Sequence, residues 1–357
     1  RSYAKKVYKE LCKKPKNQKK EFLLCMYDKK PLTSDLLRKY LKNSSKNVKL
    51  LEYPREKGVM AHQLNYACEW IYKNYPDDEN MICIYNADSF IQKNYLRILD
   101  TIKGNAIQQS SLFLRNFQGK SKSFKTAFLK GNGMLQTRWT LAHEIPRTYS
   151  QRESNPFNFL ELSHVVGHGL AINLNTLMKV GGFPTKFSNE DLPLGYMLRV
   201  NNEFVEIYPS LENSDTPATV NSVFTQYRTW FYGVAYYPKY FIHAIKSFSL
   251  SFRHEIYAFL WMIIGMTRSF KWLLVSIYWL FILLYPLFIL NINLVILAMF
   301  SFISYSLFSW LLTYWSIKRN PKIFPGNSEL EMSALDWLAV YPVYLTHSWG
   351  LIHGFID

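Results

Sequence analysis

The chain has 357 residues, a formal net charge of +16, 49% hydrophobic residues and 17% aromatic residues. This length fits one large domain or two ordinary domains. The 4 cysteines have no CxxC or other metal-ligand spacing and are typical of the reduced thiols of a cytosolic domain. Because Lys and Arg are spread along the chain and flank apolar segments, the charge favours an anionic membrane surface over nucleic acid, and we expect no nucleic acid partner.

Two stretches near the C-terminus contain no Asp, Glu, Lys or Arg. The 46-residue run 272–317 is long enough for two bilayer crossings at roughly 20 residues each. The 20-residue run 337–356 suits a third crossing or a re-entrant segment. We therefore predict an integral membrane protein with two or three transmembrane segments in a membrane domain, residues 271–357.

Charge also predicts the topology of these segments. We expect the first span to leave the cytosol near Lys271 and to turn at Asn291–Asn293. The second span then returns at Lys318 and Arg319, in agreement with the positive-inside rule if the preceding domain is cytosolic. The loop 318–336 would lie beside that cytosolic domain.

The first 225 residues alternate between strand-like and helix-like patterns. This alternation predicts an α/β domain over residues 1–225. Since the first residue is Arg rather than Met, we expect its N-terminus to be incomplete. The predicted strands are 22–27, 48–53, 81–85, 107–113, 165–172 and 204–208; the predicted helices are 36–41, 59–72, 128–143, 175–180 and a helix from 191 onward, with 144–165 as loop.

Residues 226–270 have a different composition, rich in Tyr, Phe and Lys. Aromatic rings with Lys head groups are typical of the bilayer interface, so we predict interfacial helices here. The uncharged run 256–267 is too short to span a bilayer and is assigned to the same region.

Polar residues follow two of the predicted strands. Asp28 comes directly after the strand 22–27, and Asn86-Ala87-Asp88 follows the strand 81–85. Ligands of open α/β sheets gather at the carboxyl ends of strands, and carboxylate and amide oxygens suit a divalent cation. A turn-capping Asp is the structural alternative for each of them.

The most informative stretch runs from Gly181-Gly182-Phe183 to Glu190-Asp191. A glycine pair predicts a tight bend, and the two acids precede an apolar, helix-like run. Acids suit a helix N-terminus, so a purely structural role is one interpretation. Gly167-His168-Gly169 interrupts a predicted strand, which suggests that the backbone approaches a ligand closely.

In this order, the strand-end acids, the Gly-His-Gly segment, the Gly-Gly-Phe…Glu-Asp segment and Gln226-x-Arg228-x-Trp230-x-x-Gly233 resemble a known family. They are similar to the membrane-integrated glycosyltransferases of family 2, the cellulose and hyaluronan synthase-like group. The resemblance covers roughly residues 20–260 and the adjoining membrane region. It implies a GT-A fold (a Rossmann-like mixed sheet), a nucleotide-diphosphate sugar donor with a UDP-sugar favoured, Mg²⁺ or Mn²⁺, and inversion at the anomeric carbon.

The resemblance also implies roles for single residues. Asp191 would be the general base, with Glu190 as its neighbour. Asp88 would hold the metal that bridges the diphosphate, with Asn86 as a second ligand. The remaining roles are donor binding by Asp28, Lys57, Asp88 and Arg228, and acceptor binding by Trp230, His168 and Gln226.

Two departures from the family pattern keep other functions open. Asn86 replaces the first Asp of the usual DxD, and Thr229 stands where Arg usually precedes Trp, so that Arg228 is rotated by about 100° on a helix. The main hypothesis is sugar transfer to a glycan or lipid-linked acceptor during surface polysaccharide synthesis. The alternatives are transfer of a single sugar to a lipid carrier and a catalytically degenerate subunit of a synthase complex. Membrane lipids, a second copy of the chain or a synthase-complex partner are the expected binding partners.

Overall fold

The structure is a computed structural model of the chain. It describes residues 22–26, 48–54, 58–76, 79–85, 89, 94–151, 157–163, 165–321, 323–324 and 329–349; for 22–26 and 48–50 it gives the backbone alone. The predicted helix at 36–41 lies outside the described residues.

Eight short strands are described, and they form three small sheets. A parallel pair joins β1 (Phe22–Met26) to β2 (Val48–Glu52). A four-stranded mixed sheet has the order β3-β6-β4-β7, in which β6 is antiparallel to both neighbours and β4 is parallel to β7. A second parallel pair joins β5 to β8. The bounds are β3 Met81–Ile84, β4 Ala106–Gln108, β5 Ser111–Leu112, β6 Leu170–Asn173, β7 Val205–Ile207 and β8 Glu212–Asn213.

Helices cover this mixed α/β domain, as predicted. Ser123 caps α3 by accepting a hydrogen bond from the backbone N–H of Thr126, and Asn173 caps α5 in the same way. A π-helical turn at Thr140–Glu144 joins α3 to α4, and a 3₁₀ turn lies at Asn158–Leu160. The bounds are α1 Met60–Asn74, α2 Tyr95–Leu99, α3 Phe124–Trp139, α4 Ile145–Ser150, α5 Leu174–Lys179 and α6 Asp191–Val200.

Three local predictions for this domain were wrong. The predicted loop 144–165 contains α4, where Pro146 stands in the first turn, a position at which a missing N–H does no harm. The predicted strand 107–113 is divided into β4 and β5. The segment 165–169 is not a strand, because the sheet begins at Leu170, directly after Gly169 takes a φ of +67°.

The C-terminal part of the described chain is helical. It comprises α7 (Val220–Ala235), α8 (Tyr237–Ser247), α9 (Phe252–Phe288) and a bent helix made of α10 (Ile292–Ile303), a π-helical turn and α11 (Ser309–Arg319). The run 256–267 belongs to the 37-residue helix α9 and continues without a break into the uncharged run. By length and composition alone, Phe252–Phe288 and Ile292–Arg319 could each cross a membrane. The chain turns at Asn291, as predicted, and Asn291 caps α10.

The described part of the last apolar run forms α12 (Ala334–Leu338) and α13 (Val340–Thr346). At 1.5 Å per residue, the 7 residues of α13 extend over about 10 Å, well short of the bilayer core. Val340 and Val343 are fully buried, in one core with Leu114 and Met134 of the α/β domain and Trp310 of α11. The predicted contact of the loop 318–336 with this domain is confirmed, since the Glu331 N–H donates to the Gln118 carbonyl (2.7 Å).

Candidate functional site

A small pocket lies where β3, β6, α1 and α6 meet. Its lining includes the two acids at the start of α6, Glu190 and Asp191, and the Val165–Gly167 segment opposite them. The remaining lining residues are Leu64, Ile84, Leu170 and Phe183. A Cβ added at Gly167 would lie 3.1 Å from Glu190 Oε1 and 3.5 Å from Asp191 Oδ2. The Gly167 backbone therefore faces both carboxylates. The close approach of this backbone to a ligand stays a prediction.

The glycine turn before these acids is held by a residue far away in sequence. Asn65 of α1 donates from Nδ2 to the Phe183 carbonyl (2.8 Å), and its Oδ1 accepts from the Phe183 N–H (2.8 Å). Gly181 and Gly182 have φ values of +89° and +77°, which glycine adopts without strain. A Cβ at Gly182 would lie 2.8 Å from Asn65 Oδ1. Asn65 thus holds the glycine turn that precedes Glu190 and Asp191 and positions them at the pocket.

A second buried amide holds the opposite wall. Gln108, at the end of β4, donates from Nε2 to the His168 carbonyl (2.8 Å) and accepts at Oε1 from the Val166 N–H (3.0 Å). A Cβ at Gly169 would clash with the Gln109 carbonyl oxygen, so only glycine fits there. These contacts fix the segment that faces the two acids.

His168 lies beneath this wall in a network of buried acids and hydroxyls. Its Nδ1 is 3.2 Å from Glu212 Oε2 and 3.0 Å from Ser111 Oγ. Glu212 is fully buried and also accepts at Oε1 from Ser214 Oγ (3.1 Å). Burial alone lowers the pKa of His168, but the hydrogen bond and charge of Glu212, with the charges of Glu144 and Asp191, outweigh it and raise the pKa. The carboxylates around His168 therefore favour its protonated form.

The side chains of Glu190 and Asp191 are partly buried. Neither of them forms a salt bridge with another described residue. Burial raises the pKa of Glu190 to about 7, and the charge of Asp191 adds to this rise. Burial also raises the pKa of Asp191, against the opposing effects of the Leu192 and Gly167 N–H groups and the charge of His168. Asp191 Oδ1 accepts from the Leu192 N–H at 2.7 Å. A carboxylate with a raised pKa, held at a helix start and open to a pocket, is suited to accept a proton.

Helix α7 packs on the residues that flank the two acids. A Cβ at Gly233 would lie 2.5 Å from Asn189 Nδ2, so α7 passes directly over the residue before Glu190. Gln226 and Trp230 lie seven and three residues before Gly233, on the same stripe of α7. Gln226 accepts from Gln136 Nε2 (3.2 Å) on α3, and Trp230 packs beside Tyr227 with ring centroids 6.0 Å apart.

Arg228 lies on another side of α7. At 100° per residue it is about 140° from Gly233 around the helix axis. It is half-buried. The sequence departure at Thr229 therefore changes the direction of the guanidinium group relative to the acids.

Four residues expected in the site lie outside the described residues: Asp28, Lys57, Asn86 and Asp88. The strand β3, which precedes Asn86 and Asp88 in the sequence, ends at the pocket, because its last residue, Ile84, lines the pocket. Within the described ranges, no group of three or more His, Cys, Asp or Glu side chains could hold a metal ion. The described donors thus do not make a metal site.

Sequence reasoning missed the supports of this site. Asn65, Gln108 and Glu212 have no signal that separates them from other polar residues of helices and strands. Glu144 accepts from Ser110 Oγ (2.5 Å) and lies on the π-helical turn, where the sequence pattern predicts the start of a loop. Each acts through a partner that is at least 34 residues away along the chain, and one sequence does not reveal such pairs.

Comparison with known proteins gives little beyond this geometry. No protein-family model matches the chain, and no curated protein does. One solved structure to which the chain is similar is a mannosyltransferase from Pyrobaculum calidifontis in complex with GDP-Man and Mn²⁺. It has 12% sequence identity and a TM-score of 0.45, with 99% of this chain and 93% of that chain covered. A TM-score of this size does not establish function, so the assignment of a function rests on the residues and contacts of this chain.

Proposed function

We propose that this chain is an inverting, hexosyltransferase-type glycosyltransferase of the family 2 kind. It transfers a sugar from a nucleotide-diphosphate donor to a glycan or glycolipid acceptor at the cytosolic face of a membrane. The observation that carries the proposal is the pair Glu190 and Asp191. Both are raised in pKa, lie at the start of α6 and face Gly167 across a pocket. The order of motifs in the sequence supports the same activity.

The proposed reaction is an in-line displacement. The acceptor hydroxyl oxygen forms a bond to the anomeric carbon while the bond from that carbon to the diphosphate breaks. Asp191 takes the hydroxyl proton, and the nucleoside diphosphate leaves with the electron pair. Positive charge must stabilise the leaving group, on the side of the anomeric carbon opposite Asp191.

The donor side of the site is proposed from the family pattern. Asp28 and Lys57 would bind the nucleotide, and Arg228 the diphosphate. Asp88 and Asn86 would hold Mg²⁺ or Mn²⁺, whose charge would offset that of the leaving group. Trp230, Gln226 and His168 would bind the acceptor. Trp230 and Gln226 share the α7 stripe that, at Gly233, contacts Asn189 and Leu192 on either side of the acids, which supports their place near the pocket.

Turnover tests this function directly. Full-length protein in purified membranes is given radiolabelled nucleotide sugars, and incorporation is compared between wild type, Asp191→Asn and Glu203→Gln. Loss of a general base lowers the rate by about 10²–10⁴-fold, so we expect that loss in Asp191→Asn with nucleotide binding retained. Glu203 pairs with Lys179 on an exposed surface (2.9 Å), and its variant is the matched control.

The outcomes separate the candidate functions. Wild-type turnover in Asp191→Asn would refute the base assignment. A product that stays in the organic phase would favour transfer to a lipid acceptor, and a long water-soluble chain would favour polysaccharide synthesis. No turnover with any donor would favour the degenerate-subunit alternative, for which Asn86 and Thr229 are the reason.

A further inference from the structure

A buried carboxylate, Glu212, contacts one ring nitrogen of His168. Strands β5 and β8 pair in parallel with Ser111 opposite Glu212, and this register brings both side chains to His168 Nδ1 (3.0 and 3.2 Å). The second oxygen of Glu212 accepts from Ser214 Oγ (3.1 Å). Because a carboxylate only accepts hydrogen bonds, the hydrogen between the two groups belongs to Nδ1. The pair therefore fixes the direction of the ring and the nitrogen that carries this hydrogen.

The opposite edge of the same ring takes no part in holding the fold. His168 Nε2 has no hydrogen-bond partner among the described residues. The side chain of His168 is 14% exposed, whereas that of Glu212 is 0% exposed. A histidine that only stabilises a core has its polar atoms satisfied, because an unpaired polar group that is kept from water costs free energy. His168 Nε2 is therefore free to bind a ligand.

The backbone of His168 is held on both sides. Its carbonyl accepts from Gln108 Nε2 (2.8 Å), and the N–H of the next residue, Gly169, donates to the Ile84 carbonyl at the end of β3 (2.8 Å). Because the backbone and Nδ1 are both held, the ring loses little freedom when a ligand binds at Nε2. This preorganisation suits a side chain that positions a substrate.

The packing of His168 connects it with α3 and α7. The Phe113 ring packs edge-on against the imidazole, with ring centroids 6.3 Å apart. The Phe113 N–H donates to Thr137 Oγ1 on α3 (3.1 Å). The preceding residue of α3, Gln136, donates from Nε2 to Gln226 on α7 (3.2 Å). Since Gln226 is one of the residues proposed to bind the acceptor, these contacts connect His168 with the acceptor side of the site.

His168 also directly follows Gly167, whose backbone faces the proposed base. A Cβ at Gly167 would lie 3.5 Å from Asp191 Oδ2, and consecutive Cα atoms are about 3.8 Å apart. The acceptor hydroxyl must come within hydrogen-bond reach of Asp191 to lose its proton. The acceptor sugar therefore binds next to the segment that carries His168.

We propose that Glu212 is a positioning residue, which holds His168 so that Nε2–H donates a hydrogen bond to an oxygen of the acceptor sugar. The identity of this ligand as an acceptor rests on the proposed function. The charges of Glu212, Glu144 and Asp191 raise the pKa of His168 against the effect of burial. Protonated His168 carries a hydrogen on both nitrogens, whereas neutral His168 keeps the one that faces Glu212 and becomes an acceptor at Nε2. Glu212 thus maintains Nε2 as a hydrogen-bond donor.

Modification by diethyl pyrocarbonate tests the positioning without any need for turnover. This reagent acylates the unprotonated nitrogen of an accessible imidazole, and mass spectrometry of peptides from the full-length protein gives the rate at each histidine. In wild type we expect His168 to react with a pH midpoint above its ordinary value of 6.5. Removing an opposite charge at this distance lowers a histidine pKa by about 1–3 units, so the midpoint should fall by that amount in Glu212→Gln.

Two controls accompany this measurement. His243 on α8 is half-buried, and its pKa is lowered by burial and by the charge of Lys186, so its midpoint should lie below 6.5 and be the same in all variants. Glu203→Gln removes an acid of an exposed pair and should leave the His168 midpoint unchanged. If Glu212→Gln does not fold, Glu212→Asp keeps the charge but sets it back by one methylene, and we expect a smaller fall. A His168 midpoint that is the same in wild type and the Glu212 variants would overturn the proposal, and so would a His168 that does not react at any pH.

Sugar transfer tests whether Glu212 acts through His168. Initial rates of incorporation from radiolabelled nucleotide sugars are measured in purified membranes for wild type, Glu212→Gln, His168→Gln and the double variant. Loss of one hydrogen bond from a charged donor lowers a rate by about 10-fold or more, which we expect in each single variant. The double variant should be no slower than His168→Gln. The rate of Glu212→Gln should also decline at a lower pH than that of wild type, a change that lost packing alone would not cause.

Failure of this inference can be told from failure of the proposed function. Losses that multiply in the double variant would show that Glu212 does not act through His168, and the transferase would stand. A His168 midpoint that depends on Glu212, together with no sugar transfer in wild type, would refute the transferase and leave the positioning of His168 by Glu212 standing.

Discussion

Asp191 and Asp336 both lie in the first turn of a helix, yet their surroundings are opposite. Asp336 is fully buried, accepts from the Ser333 N–H and Oγ (2.6 and 2.8 Å) and lies 3.4 Å from Lys130 Nζ. Burial alone would raise the pKa of Asp336, but Ser121, Ser333 and Lys130 outweigh it and lower the pKa. Asp191 instead lies beside another acid, and its pKa is raised. An acid in the first turn of a helix therefore stabilises the fold at Asp336, whereas at Asp191 it is suited to react. The difference comes from the neighbouring group, which is Lys130 for Asp336 and Glu190 for Asp191.

The largest loss of stability is expected on removal of the Asp336–Lys130 pair. Replacing Asp336 by Asn leaves Lys130 buried without a counter-charge, and Lys130 is 1% exposed in its side chain. Breaking a buried pair in this way costs about 3–5 kcal/mol. We expect a large fall in the thermal unfolding midpoint of Asp336→Asn at pH 7 in detergent. Glu203→Gln, which breaks an exposed pair with Lys179, should cost about 1 kcal/mol or less. Equal falls in the unfolding midpoint of the two variants would show that the Asp336–Lys130 pair does not stabilise the fold more than the exposed pair does.

The network under the acid pocket should show a smaller, pH-dependent loss. Because Glu212 raises the pKa of His168, the stability that it contributes is complete below the unfolded pKa of about 6.5 and is lost as pH rises through the raised folded value. Glu212→Gln should therefore be most destabilised relative to wild type near pH 6, by about 1.5–3 kcal/mol. The difference should shrink at pH 9. A pH-independent difference would show that Glu212 acts by packing alone.

The glycine turn offers a matched pair of variants. Both Gly181 and Gly182 have positive φ, so Ala at either strains the backbone by about 1–3 kcal/mol. A Cβ meets nothing within 4 Å at Gly181, but it meets Asn65 Oδ1 at 2.8 Å at Gly182. We expect Gly182→Ala to lower the unfolding midpoint further than Gly181→Ala and to reduce transfer more. The same loss in both would refute the role of Asn65 in placing the acids.

The smallest expected effect is a gain of stability on replacement of Glu190. The folded pKa of Glu190 is about 7, above its ordinary value of 4.5, so the folded state binds this proton more tightly than the unfolded state. Wild type should lose stability as pH rises from about 4.5 through 7, and Glu190→Gln should not. Above pH 7 the variant should unfold at a slightly higher temperature. Glu203, whose pKa is lowered by Asn105 and Lys179 against the effect of burial, is the control of opposite sign. If Glu190→Gln unfolds at a lower temperature than wild type at pH 8, the raised pKa of Glu190 is contradicted.

The sequence predicted most elements of the described domain because their signals are local. The strands β1 and β3 are short apolar runs, β2 is a short run rich in Val and Leu, and α1 and α6 follow glycine or acidic starts. It failed around α4 and at residues 165–169. Pro146 at the start of α4 is compatible with a helix but is also typical of loops. The apolar character of Val165 reflects burial against α6 rather than membership of a strand.

The candidate site divides in the same way. The sequence by itself determined that Glu190 and Asp191 begin a helix after a glycine turn, and that a long uncharged region comes after the α/β domain. Only the tertiary structure decided that Gly167 faces those acids and that Glu212 pairs with His168. The physical reason is range: helix starts and apolar runs depend on neighbouring residues, whereas the charge state of a buried acid depends on whatever the fold places beside it.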